Sequence, residues 1–92
     1  MKIHVHYTTQ LKAELGIAAE EIEIAGPCQF ADLLQRLIDK HPVEFQRLVV
    51  DESGKLLPSI LLCVDDQQVS PRLETTLEDG ASVTFLSAIS GG

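Results

Sequence analysis

The residues of this chain able to do chemistry are few, and the most distinctive pair ends it: Gly91-Gly92. Glycine has no Cβ, so two in succession can thread a narrow channel and adopt dihedrals closed to other residues. The group such an end offers is the carboxylate of Gly92, which is unreactive until something activates it. Other candidates are weaker. His4 and His6 lie two apart in an alternating stretch and would hold a metal if a third ligand converged. The sequence brings no Cys, Asp or Glu to them, so they read as solvated or partner-facing residues on an outer sheet face. Cys28 precedes a helical pattern, where backbone N–H groups can lower a thiol pKa, whereas Cys63 sits in an apolar run and reads as a core residue. Two cysteines make no disulfide scaffold, and no close-spaced Cys/His set suits zinc, so no metal site is expected. Asp65 and Asp66 are neighbours in a turn and point apart, which rules against paired acid–base work. With no nucleophile–base set and no phosphate-binding loop, the chain does not read as a stand-alone enzyme.

The elements that would carry these residues follow from periodicity. Residues 2–7 alternate as a strand, with Ile3, Val5 and Tyr7 on one face. Thr9 to Leu15 suggests a short helix stopped by Gly16, and residues 21–24 a second strand ending at Gly26-Pro27. The main helix spans 30–40, where Phe30, Leu33, Leu34, Leu37 and Ile38 form one apolar stripe. Asp32 in its first turn and Lys40 and His41 in its last suit the helix dipole, and Pro42 ends it. A short helical turn is expected from Val43 to Leu48. The run 60–64 reads as a central strand, Asp65-Asp66 as a tight turn, 67–69 as a return strand and 82–86 as the final strand. Residues 87–92 carry no turn, cap or apolar rhythm and are expected to form a flexible C-terminal tail on a single domain spanning 1–92. Two strands, a long helix and then more strands predict an α+β fold: a mixed sheet with one main helix packed across one face.

Composition bounds the rest. Ninety-two residues make one domain with a modest core. A formal charge of −7 argues against nucleic acid and anionic membrane surfaces, and favours partners with basic docking surfaces. No apolar run approaches the ~20 residues of a spanning helix, and the alternating start is unlike a signal peptide. A cytoplasmic location is the expectation.

The element order and the closing segment Leu77-Glu78-Asp79-Gly80-Ala81-Ser82-Val83-Thr84-Phe85-Leu86-Ser87-Ala88-Ile89-Ser90-Gly91-Gly92 resemble the ubiquitin-like β-grasp sulfur carriers, the family of the small molybdopterin-synthase subunit and the thiamin sulfur carrier. Gln10-Leu11-Lys12 after the first strand, Phe30-Ala31-Asp32-Leu33-Leu34 and His41-Pro42 support the likeness, which covers essentially the whole chain. The resemblance implies that a ubiquitin-activating-enzyme-like adenylyltransferase, using its own ATP and Mg²⁺, adenylates the Gly92 carboxylate. A persulfide donor then makes it a thiocarboxylate, and a sulfur-accepting synthase receives the sulfur. It also implies that Gly91 and Gly92 carry the chemistry, that Leu86, Ser87, Ala88, Ile89 and Ser90 form the partner-binding segment, and that the carrier binds no cofactor. Thr8 stands where molybdopterin-type carriers often have a second aromatic, which counts against that assignment, and Tyr7-Thr8-Thr9, Gly54-Lys55-Leu56 and Val64-Asp65-Asp66-Gln67-Gln68-Val69 look closer to carriers serving cysteine or another thio-metabolite. The resemblance leaves the receiving pathway open among molybdopterin, cysteine and related thio-metabolites. Two alternatives use the same features: a protein modifier joined through Gly92 to lysines, or a noncatalytic interaction domain.

Overall fold

The computed structural model of the protein describes residues 1–69 and 75–87. Strand β1, Lys2–Tyr7, buries Ile3, Val5 and Tyr7 and turns Lys2, His4 and His6 away from the core. Helix α1, Thr9–Leu15, stops at Gly16, whose φ of 76° lets its N–H reach the Lys12 carbonyl. Strand β2, Ala19–Glu23, returns antiparallel to β1 with Ile22 opposite Ile3. It begins two residues before the alternation of Glu21–Ile24 suggests, because pairing with β1 extends to His6 and Ala19. Ile24 falls beyond it and is only partly buried.

A two-residue strand β3, Cys28–Gln29, leads into helix α2, Phe30–Lys40. The helix start is a capping box. The Gln29 side chain takes the Asp32 backbone N–H, and Asp32 Oδ2 accepts the Gln29 N–H at 2.9 Å. Phe30, Leu33, Leu34 and Leu37 of the expected stripe are buried, and Ile38 packs at its edge. Pro42 both ends α2 and opens α3, Pro42–Leu48, since a proline costs no hydrogen bond in a helix's first turn. The expected single turn is therefore a full short helix, and its Phe45 is wholly buried.

Strands β4, Ile60–Val64, and β5, Gln67–Val69, are joined through Asp65 and Asp66, both left-handed at φ 51° and 69°. Strand β6, Thr76–Leu77, pairs with β3 in a separate small sheet that is too short to register as periodicity in the sequence. Strand β7, Ser82–Ser87, runs one residue past its expected end, since Ser87 still pairs with Ile60.

The main sheet is ordered β2-β1-β7-β4-β5. β1 and β7 are parallel and central, and the other neighbours are antiparallel. Helix α2 and its companions cover one face, so the α+β β-grasp expectation holds. Phe85 sits at the core's centre, with Tyr7, Phe30 and Phe45 rings 5.8 to 6.2 Å from its own.

Cys63 corrects the sequence reading. It is only half-buried, on the face away from the helices, because Leu62 occupies the inward position and strand residues alternate. An unbroken apolar run suggests a strand covered on both faces, yet here helices cover one. Cys28 is the core thiol instead.

Phe85→Ala should remove the hub of the aromatic cluster and lower the unfolding free energy by about 3–5 kcal/mol, measured by urea denaturation.

Candidate functional site

The end of β7 is where the fold hands over to the residues the sequence singles out. Its inward residues, Val83 and Phe85, are buried; Ser82, Thr84 and Leu86 face the open side of the sheet. Leu86 lies opposite Leu61, and Thr84 opposite Cys63. These half-buried residues, with His4 and His6 of β1 alongside, make up the middle of the face that no helix among the described residues covers. Ser87 is the last paired residue of the strand. Gly91 and Gly92, together with Ala88, Ile89 and Ser90, lie outside the described residues.

Beneath the strand end, a polar cluster joins three elements. The Tyr7 hydroxyl donates to Glu20 Oε2 at 2.5 Å, and His41 Nε2 lies 2.8 Å from the same oxygen. Lys40 Nζ approaches Oε1 to 2.5 Å as an ion pair, without the alignment of a hydrogen bond. Glu20 is in phase with Ile22 on β2, so it points inward at the edge of the core, and only 9 % of its side chain is exposed. Burial alone would raise its pKa. The interactions with Lys40, Tyr7 and His41 outweigh that, and hold the carboxyl below the ordinary value. The same geometry pushes the Tyr7 phenol well up, first through burial and then through the neighbouring carboxylate.

The cluster was not anticipated, although its signals are visible in retrospect: a glutamate in phase with a core isoleucine, and adjacent Lys40 and His41 at a helix end. Thr8 was also missed as a contact. Its hydroxyl donates to the Phe85 carbonyl at 3.0 Å.

Burial, strand pairing and a turn place Cys28, His4 and Asp65. Burial, and next the charge of Asp32, push the Cys28 thiol up, opposite to the lowering that a helix start suggests. His4 Nδ1 lies 3.4 Å from Glu21 on the open face, a carboxylate that strand pairing supplies across from it. Among the described residues no group of three His, Cys, Asp or Glu could hold a metal. Asp65 is a turn residue that accepts the Ser82 N–H at 3.0 Å. No helix among the described residues is long and apolar enough to cross a membrane.

The model of the ThiS family matches residues 5–92. The chain is similar in structure to SAMP1 from Haloferax volcanii, at 18% identity and a TM-score of 0.86, with 100% of both chains covered. It is similar to a chain of the BexX/CysO complex of Amycolatopsis orientalis, at 29% identity and 0.71, covering 98% of this chain and 99% of that one. Urm1 from Trypanosoma brucei is a third, at 25% identity and 0.80, covering 99% and 95%. No curated protein matches the chain.

The Glu20 cluster gives a pH dependence of defined sign. A carboxyl whose folded pKa is depressed stabilises the fold above its unfolded value, and that stability is lost as pH falls through the folded value. Urea titrations should show wild-type stability dropping on acidification below about pH 5, and Glu20→Gln should flatten that drop while being less stable than wild type at pH 7.

Proposed function

The chain belongs to the ThiS family, and from that premise we propose that it is a ubiquitin-like sulfur carrier whose working group is the Gly92 carboxylate. The observation that carries the reading is that the family match runs to residue 92, so it takes in Gly91 and Gly92 and the strand that leads to them. The carrier is a cosubstrate and not a catalyst. An adenylyltransferase related to ubiquitin-activating enzymes supplies Mg²⁺ and the cationic groups that let a carboxylate approach the α-phosphate of ATP. The carboxylate oxygen attacks that phosphorus, pyrophosphate leaves, and Gly92 becomes an acyl-adenylate. The terminal sulfur of a persulfide displaces AMP at the acyl carbon, and reduction of the resulting acyl disulfide by a thiol leaves the thiocarboxylate. A synthase then accepts the sulfur.

The chain's own residues contribute presentation. β7 is held in the sheet's centre, so the segment after it starts from a fixed base. Leu86 on the open face, opposite Leu61, offers a partner an apolar contact, and Ser87, Ala88, Ile89 and Ser90 are assigned to partner binding with it as the next residues in sequence. The charge of −7 suits partners with basic surfaces.

A second reading is protein modification, in which a lysine amine takes the acyl group in place of sulfur. The likeness to Urm1 and to SAMP1, described elsewhere as a small archaeal modifier protein, keeps it in play.

Incubation with a ubiquitin-activating-type adenylyltransferase, Mg-ATP and sulfide should add ~16 Da to the intact chain as sulfur replaces oxygen. Deleting Gly91 and Gly92 should abolish the gain without changing the thermal melt. An unchanged mass across a panel of such enzymes overturns the carrier reading. Conjugation would instead leave, after trypsin, a branch from Leu73 to Gly92 on target lysines, because Arg72 is the last basic residue.

A further inference from the structure

We infer that Thr8 is a positioning residue for the C-terminal segment: its hydroxyl fixes the end of β7, from which that segment starts. This deepens the carrier reading and rests on it.

Register supplies the first argument. The His4 N–H donates to the Ala81 carbonyl at 2.8 Å, and parallel strands advance together two residues per rung. Residue 8 is therefore level with the Phe85 carbonyl. The backbone leaves β1 there to begin α1, and the Thr8 side chain delivers the donor, its hydroxyl 3.0 Å from that carbonyl. Beyond this point, among the described residues, β7 is paired by β4 alone, Leu86 with Leu61 and Ser87 with Ile60. Thr8 is thus the final tie on the β1 side.

A second argument comes from what Thr8 does not do. It occupies the N-cap of α1, a position where threonine is favoured because its oxygen accepts an N–H of the helix's first turn. Among the described residues it makes no such bond. The hydroxyl is directed 77 residues away instead.

The backbone adds a third. Thr9 has φ 48°, a left-handed conformation that is costly for a β-branched residue and persists where surrounding contacts hold it. The preceding Thr8 is extended, at φ −130° and ψ 163°. The chain reverses through this strained step while Thr8 remains against β7.

A fixed base matters because the terminal carboxylate has to enter another enzyme's site. If the base loosens, fewer conformers point the segment correctly, and apparent affinity falls in proportion to the competent fraction. Chemistry on a seated tail is unaffected, so the loss appears in KM and not in kcat.

Thr8→Val keeps the shape and removes the hydroxyl; Thr8→Ser keeps the hydroxyl. Backbone amide exchange would be followed by NMR at Leu86 and Ser87, with the amides of Leu33 and Leu37 as reference for global stability. The KM for the chain in pyrophosphate release would be measured with an adenylyltransferase that accepts the wild type. Thr8→Val should raise exchange at Leu86 and Ser87 and raise KM about threefold to tenfold, with kcat held, and Thr8→Ser should restore both. Unchanged exchange in Thr8→Val, an unchanged KM beside faster exchange, or Thr8→Ser behaving like Thr8→Val overturns the assignment. If no adenylyltransferase accepts the wild-type chain, the carrier reading falls and with it the role in presentation, while exchange alone decides whether the hydroxyl anchors the strand.

Discussion

The parallel pairing of β1 with β7 is the interaction on which the rest of the molecule hangs. It joins the first strand to the last and closes nearly the whole chain into one loop. Closing so long a loop costs entropy before any other contact repays it, although the cost grows only slowly with length. Once made, it places both strands centrally: β2 builds outward from β1, and β4 and β5 from β7. Phe85 then stands where Tyr7, Phe30 and Phe45 converge, so strand pairing and aromatic packing reinforce each other at the same residue. The strand that leads to Gly91 and Gly92 is therefore the sheet's central one.

The uncovered face of the sheet is the second consequence of this plan. The helices of a chain this size cover one face, and the parity of each strand position decides which residues meet them. In β4, Leu62 goes to the core while Leu61 and Cys63 go to the open side; in β7, Phe85 goes in while Thr84 and Leu86 go out. The open face therefore carries apolar atoms in its middle and charged residues of β2 along one edge, Glu21 and Glu23 being exposed there. Charges on an edge strand also discourage pairing with a second sheet.

Glu20 shows how polar chemistry is admitted at the core's edge. A carboxylate with so little solvent access is costly unless its lone pairs are engaged. Tyr7 and His41 engage those of Oε2 and Lys40 pairs its charge with Oε1, which ties the end of β1, the start of β2 and the junction of α2 with α3 to one point. That junction is where Pro42 turns the chain from one helix into the next, bringing Phe45 against Tyr7 and Phe85.

Much of this was readable from local pattern. The alternation of residues 2–7, the stripe of 30–40, the left-handed Gly16 and the place of Asp32 in the first helical turn each follow from neighbours within a turn or two, and all are present; that Asp32 also closes a capping box with Gln29 is the structure's addition. The resemblance of the closing segment pointed to the family. The parity of Cys63 was not legible, because an apolar run does not say which of its faces another element will cover. The short β3–β6 pair, the partners that meet Glu20 and the bond from Thr8 to Phe85 were equally hidden, since each depends on residues brought together from far along the chain. Periodicity reports which residues share a face; the tertiary structure alone decides what that face meets, because contacts are set by distance in space.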